Sequence, residues 1–288
     1  MMSNNLIFPE VIRTKIEDDY KERKKKLSPS QIRILSPFLD PKQEIDGDKE
    51  VLQNFLDFLQ NDTYEQEFVN LIENFEDLEA YHRFLASVLI YMRTENFNDP
   101  PDKFLYLCIS IEAAMQFKSN RGKEKNRLFK AFFKENLAED TKLRMISHFK
   151  SKNVINTVKS QNLLLYKAGK TSLRKTKGNS IVPSCYKLKQ CFLDTGKCYP
   201  KHGCYLKSNP DKINDQLNFV LDYLYQKRSN FVHDGRIYSH PVNGSIGDVC
   251  CYSAQKKLVG ISYSLNLYDL FEIYEEALLN HFQTINGM

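Results

Sequence analysis

From Asp48 onward, apolar residues recur three and four positions apart. Val51, Leu52, Phe55, Phe58 and Leu59 form one set, Phe68, Leu71, Ile72 and Phe75 a second, and Leu78, Tyr81, Leu85, Val88 and Leu89 a third, with acids and amides between them. Such spacing puts each set on one face of a helix. The pattern therefore predicts three amphipathic helices with acidic, solvated outer faces. A break at Asn98-Asp99-Pro100-Pro101-Asp102 follows. Asp102 is the expected N-cap, because its carboxylate can accept an orphan backbone N–H. The run from Phe104 to Met115 is apolar almost all round, as expected of a helix in the middle of a bundle. Shorter helices are predicted over Lys125–Asn136 and Asp140–Lys150, with another ending near Tyr166. Further on, Ile213, Leu217, Val220, Leu221 and Leu224 make a stripe that runs into Arg228, and Asp234-Gly235 is a stop signal. Residues 236–260 read as irregular, with a short strand at Leu258–Ser264. A last helix is predicted from Leu267 to Phe282, with Leu267, Leu270, Phe271, Tyr274, Leu278 and Phe282 facing inward. The first forty residues read as peripheral, since Pro29, Pro37 and Pro41 interrupt any long helix there.

The resulting expectation is a mainly α chain built as a helical bundle. Residues 1–100 form an N-terminal acidic helical region and residues 101–288 a helical domain. An irregular insertion at 168–210 interrupts that domain, punctuated by Gly169, Gly178, Pro183, Gly196, Pro200, Gly203 and Pro210. With 288 residues, 42% of them hydrophobic, there is enough apolar surface for one large helical domain or two modest ones. No window approaches the uninterrupted apolar length of a membrane span. The N-terminal residues lack the apolar core and small-residue cleavage site of a secretory signal, so a cytoplasmic location is expected. The seven cysteines are then expected to be thiols or metal ligands rather than disulfides.

Charge changes the picture in one place. From Lys142 to Lys207 there are fifteen Lys or Arg and a single acid, Asp194. The window alone carries +14 against +5 for the whole chain, so the remainder is acidic. Such a window attracts polyanions, nucleic acid foremost; it is equally a solvated loop whose charge aids solubility.

Candidate chemistry lies at TyrLeuTyrGlnLysArgSerAsnPheValHisAspGlyArg, positions 223–236. An apolar helix delivers Arg228, a His follows at 233, and Asp234-Gly235 ends the element. This resembles the R-x4–6-H signature of the HEPN superfamily, and within it the ApeA-like branch, where a helix ending in Arg-Ser or Arg-Asn leads to a His and a glycine turn. Phe104–Met115, with Ile111-Glu112-Ala113, is similar to the family's first core helix, and 267–282 stands where the family has its last. The resemblance covers roughly 100–288 apart from the insertion; residues 1–100 have no counterpart in it. It implies a helical bundle that dimerises and sets two Arg/His pairs facing across the interface. It also implies an endoribonuclease that needs no metal or other cofactor for catalysis, acting in antiviral defence or a stress response. Where toxin members carry a Tyr two residues after the His, this chain has Gly235, so regulation through a modified tyrosine there is not expected, and loss of catalysis in this member stays open.

The residue types suit that chemistry. RNA brings its own nucleophile, the 2′-OH. A histidine titrates near neutrality and can take that proton or protonate the leaving 5′-oxygen. A fork-shaped guanidinium matches charge building on phosphoryl oxygens. Five positions on a continuous helix differ by about 140°, so Arg228 and His233 share a face only if the helix bends or ends between them. The alternative is structural: Arg228 pairs with an acid and His233 caps carbonyls. Ser229 reads either as a phosphate ligand or as an exposed helix-end serine. Glu112, a lone acid on an apolar helix, needs a partner if buried; Arg228 is the candidate, and solvent at the helix edge is the alternative. Arg236 and Asp234 read as phosphate ligands or as turn residues.

Cys185, Cys191, Cys198 and Cys204 are spaced C-x5-C-x6-C-x5-C. Four thiolates can close a tetrahedral structural zinc site that orders a loop with little core; the other reading is four reduced thiols. Cys108 is expected to be buried and inert. Around the four cysteines, Lys187, Lys189 and Lys201 stand among tyrosines, a mixture that suits single-stranded RNA. Two other readings remain: a non-catalytic module that binds RNA or a nucleotide or mediates dimerisation, and a toxin-like subunit silenced by an antitoxin or regulatory partner. No Gly-rich phosphate loop, H-E-x-x-H, nucleophile elbow or kinase signature is present.

Overall fold

The computed structural model describes residues 6–35, 40–115, 122–147, 149–151, 163–167, 170–171, 191–192, 197–198, single helical positions between 213 and 228, and residues 248–253, 258–263 and 266–288. Its helices are α1 Glu10–Lys25, α2 Pro29–Leu35, α3 Pro41–Phe58, α4 Glu65–Glu73, α5 Leu78–Met92, α6 Pro100–Ala114, α7 Gly122–Asn136, α8 Glu139–Ser147 and α9 Leu267–Ile285. The described chain is thus mainly α. Short polar side chains open several of these helices by satisfying backbone N–H groups that have no intrahelical partner. Asp40 accepts from the Lys42 N–H, Asp77 from that of Ala80 and Asn266 from that of Asp269. Helix α6 departs from expectation. It starts at Pro100, with Asp99 as N-cap residue, so Asp102 lies inside the first turn. Proline tolerates that position because its missing N–H would have been unpaired anyway.

The predicted stripes are largely the buried ones. Leu52 and Phe55 on α3, Phe68, Leu71 and Ile72 on α4, and Tyr81 and Val88 on α5 are buried, while Leu89 faces outward. A single hydrophobic core runs from Phe8 to Phe282 and includes residues on both sides of position 100. Phe84 and Phe282 pack edge to face at 5.3 Å, and Phe55 and Phe68 at 5.0 Å. The N-terminal segment belongs to this core as well: Phe8, Ile12, Ile16 and Tyr20 are buried, and Tyr20 donates to Glu44 at 2.5 Å.

Helix α9 is more enclosed than α6, the helix expected at the centre. Besides its predicted stripe it buries Ile273, Ala277 and Leu279, together with Glu275 and Glu276. On α6, Leu105 and Ile109 keep partial exposure. Several polar groups inside this core are matched, while Thr94 Oγ1 and His281 Nε2 have no hydrogen-bond partner among the described residues. Ser87 on α5, Ser110 on α6 and Tyr274 on α9 bond to one another, with Ser87 Oγ 2.8 Å from the tyrosine oxygen. His281 hydrogen-bonds the Ala114 backbone, and burial pushes its pKa down to about 4.

Strands occupy part of the chain between α8 and α9. β1 Phe149–Ser151, β2 Leu163–Lys167, β3 Lys170–Thr171, β6 Asp248–Ser253 and β7 Leu258–Tyr263 form an antiparallel sheet in the order β1-β7-β6-β2-β3. β4 Cys191–Phe192 and β5 Lys197–Cys198 form a separate pair. The expected strand near 258–264 is present, as β7. The helix expected to end near Tyr166 is replaced by β2, since a short apolar run such as Leu163–Tyr166 fits either element. Residues 236–260 contain β6, and the 168–210 insertion is not irregular throughout. No helix among the described residues is long and apolar enough to cross a membrane.

Candidate functional site

Arg228 stands one turn beyond Leu224 and two beyond Leu221, both fully buried, as are Leu217 and Val220. Positions four and seven apart lie on the same side of a helix, so the apolar face that anchors this helix carries the Arg228 guanidinium inward, to a side-chain exposure of 12%. It meets Glu112, which follows the buried Cys108 and Ile111 on α6. Arg228 Nη2 donates to Glu112 Oε1, closing an ion pair across 116 residues of chain. The other carboxylate oxygen, Oε2, accepts from Lys125 Nζ of α7 at 3.2 Å. Of the alternatives open for Glu112, the partnered one holds: its side chain is 17% exposed and bound on both oxygens.

Aromatic groups complete the setting. The Arg228 guanidinium lies over the Tyr225 ring at 5.8 Å, and that ring packs against Phe129 of α7 at 5.6 Å. Burial raises the Tyr225 pKa, with Arg228 opposing. Burial also holds the Cys108 thiol well above its ordinary range, again against Arg228. A thiol held protonated is a poor nucleophile, so Cys108 acts as a small apolar group. Arg228 Nε is buried and has no hydrogen-bond partner among the described residues. The site therefore presents a guanidinium gripped at one edge by a carboxylate, backed by an aromatic face, with a further donor not consumed.

Of the sequence-predicted site residues, the structure brings Arg228 and Glu112 together. His233, Ser229, Arg236, Lys187, Lys189, Lys201, Cys185 and Cys204 lie outside the described residues. Cys191 and Cys198 are described as backbone, directly opposite each other in the β4–β5 pair. Lys125 and Tyr225 were not singled out from sequence. Lys125 sits in a Lys-Glu-Lys-Asn-Arg run that reads as a solvated face, and only the fold reveals that α7 crosses Glu112. For Tyr225 there was a signal: it precedes Arg228 by three positions, the spacing that puts two residues in contact on a helix.

A second pair of acids has a different character. Glu275 is fully buried and accepts from the Gln60 and Asn61 N–H groups at 2.9 and 3.1 Å and from the Tyr91 hydroxyl at 2.7 Å. Burial pushes its pKa up to about 7, against the pull of those bonds. Glu276 accepts from the Ala138 N–H at 2.7 Å, at the start of α8, from Thr141 Oγ1 at 2.6 Å and from the Tyr64 hydroxyl at 3.2 Å. Every described partner of these two carboxylates is a neutral donor of the chain itself.

Compared with protein-family models, with curated proteins and with solved structures, the chain matches none.

Proposed function

We propose that the chain is a metal-independent RNA endonuclease whose Arg228 binds the scissile phosphodiester while His233 moves the proton. One observation carries this reading: an apolar helix drives Arg228 into a largely buried position where Glu112 orients it and Nε has no partner among the described residues. A guanidinium so held is preorganised for phosphoryl oxygens, and a low-dielectric setting strengthens that interaction. In the proposed step the 2′-oxygen forms a bond to phosphorus and gives its proton to His233. The bond from phosphorus to the 5′-oxygen breaks, and that oxygen leaves with the proton that His233 gives up, which returns the imidazole to its starting state. The products are a 2′,3′-cyclic phosphate and a 5′-hydroxyl. Consistent with the HEPN resemblance, a homodimer would set two such pairs face to face, and defence or stress response is the proposed setting.

The test is cleavage of single-stranded RNA in EDTA by the wild type, Arg228→Ala and His233→Ala, with the product ends identified. Activity that survives EDTA, vanishes in both variants and leaves cyclic phosphate ends is expected. Cleavage that needs metal, or that ignores both substitutions, overturns the mechanism. A second reading, a binding module without cleavage, is favoured by the ion pair itself, which already gives Arg228 a partner. RNA binding that depends on Arg228 with no cleavage would select it. The β4–β5 register that sets Cys191 opposite Cys198 supports a structural zinc held with Cys185 and Cys204. Zinc-free purified protein together with a fully stable Cys191→Ser variant would remove that proposal.

A further inference from the structure

We propose that Arg83 and His281 form a separate anion site, one that takes a phosphate bearing a free P–OH group: inorganic phosphate or a phosphate monoester. The site shares no residue with the Arg228 pair and does not depend on how that pair is read. Helices α5 and α6 are joined through residues 93–99 and fold back on each other, with Ser87 bonded to Ser110 between them. One turn from that bond along each helix, Arg83 on α5 stands opposite Ala114, the last residue of α6. Helix α9 reaches the same place: Phe84 and Phe282 pack at 5.3 Å, and each directly follows one member of the proposed pair. The His281 ring packs against Phe132 of α7 at 5.6 Å and donates to the Ala114 carbonyl.

Two nitrogens at this junction, Arg83 Nε and His281 Nε2, are buried with no hydrogen-bond partner among the described residues. No described carboxylate pairs with Arg83 either. Both residues as a whole are only partly covered, so the pair stands at the rim of the core. The two nitrogens are complementary. Arg83 Nε carries an N–H and shares a full positive charge. His281 spends its one ring N–H on Ala114, and burial together with the Arg83 charge keeps the ring neutral, so Nε2 holds a lone pair. The carbonyl end of α6 offers about half a negative charge, which offsets only part of the guanidinium. A phosphate with one proton left answers both groups: an anionic oxygen accepts from Arg83, and the P–OH donates to Nε2. A phosphodiester has the charge but lacks that hydroxyl.

The test titrates the full chain, labelled with 15N-histidine, with inorganic phosphate, adenosine monophosphate, sulfate and dimethyl phosphate at constant ionic strength. A pH of about 6 keeps a P–OH on a large share of the first two anions; sulfate and dimethyl phosphate have none. The His281 Nε2 resonance is followed. Inorganic phosphate should shift it saturably, with an affinity roughly tenfold or more above sulfate and dimethyl phosphate, the worth of one such hydrogen bond. A matching response to adenosine monophosphate makes a nucleotide's terminal phosphate the source; a response to inorganic phosphate alone makes it the free ion. Arg83→Gln should weaken phosphate binding roughly tenfold or more, and Arg83→Lys should restore part of it. Melting curves check that the variants fold, and if Arg83→Gln does not, the contrast among the four anions on the wild type still decides. No saturable shift, an equal response to dimethyl phosphate, or unchanged phosphate affinity in folded Arg83→Gln overturns the proposal.

Discussion

Glu112 and Glu275 are both carboxylates on core helices, and the fold treats them in opposite ways. Glu275 is ringed by neutral donors, two backbone N–H groups and a tyrosine hydroxyl, and burial pushes its pKa up to about 7. Its described bonds all stay within the chain, so it works as a clasp between α9 and the loop after α3. Glu112 is instead divided between two cations, beside a donor with no described partner. The first arrangement is closed on itself. The second joins helices through opposite charges and leaves one guanidinium donor, Arg228 Nε, without a hydrogen-bond partner among the described residues. A buried acid is therefore informative about function only once its partners are known.

The largest expected effect tests the clasp. Glu275→Ala removes three hydrogen bonds and strands their donors in the core, so urea denaturation should show a loss of about 4 kcal/mol. A loss under about 1 kcal/mol would mean that the loop relaxes freely and that the two acids are not as different as described.

Next comes Arg228→Ala. RNA cleavage should drop about a hundredfold or more, of the order seen when a transition-state donor is removed, while the melting temperature falls by only a few degrees because Glu112 keeps Lys125. A variant that unfolds outright, with wild-type activity in its folded fraction, would make this ion pair a clasp too.

A smaller effect concerns pH. The folded pKa of Glu275, about 7, lies above its ordinary 4.5, so its stabilising contribution is complete below the lower value and is lost as pH rises through the higher one. Burial likewise pushes Asp48 up to about 6, so its contribution is lost at lower pH. His281 runs the other way: lowered to about 4 from 6.5, it contributes fully above the higher value and loses that contribution as pH falls through the lower. Between pH 6 and 7 the Glu275 effect outweighs the others, and wild-type stability should decline by about 1 kcal/mol. In Glu275→Gln the slope should reverse, leaving His281 dominant. Equal slopes in the two proteins would show that Glu275 does not titrate in that range. Smallest of all, Tyr274→Phe should cost just about 1 kcal/mol or less, because Ser87 and Ser110 retain each other. A cost several times larger would give the hydroxyl cluster a weight comparable to the acids.

These contrasts mark how far the residues could be read directly. The stripe Ile213, Leu217, Val220, Leu221 and Leu224 was legible because burial of one helical face leaves a periodic trace, and all five are buried. The Glu112–Arg228 pairing was legible for a different reason: a lone acid among apolar neighbours requires a partner, and the motif offered one. Glu275 and Glu276 left no such trace. Adjacent acids on an amphipathic helix look like a solvated edge, and their donors come from residues more than 130 positions away in sequence. Lys125 was hidden for the same reason, since its partner is fixed by a helix crossing. Helix ends misled where two signals competed, as when Pro100 and Pro101 opened α6 ahead of Asp102. The β2 segment was misread because four apolar residues in a row carry no period.

The placement of α9 has a bearing on how the chain is made. Domains begin to fold as they leave the ribosome, from the N-terminal end first. Yet the helix that fills the middle here, and whose two acids tie down residues 60–61, 64, 138 and 141, is translated after all the helices it holds. Until it arrives, Phe84 and Tyr91 lack the Phe282 and Phe271 rings that cover them. A product that stops short of Leu267 is thus left with an open core, and this core stays unassembled until α9 has been synthesised.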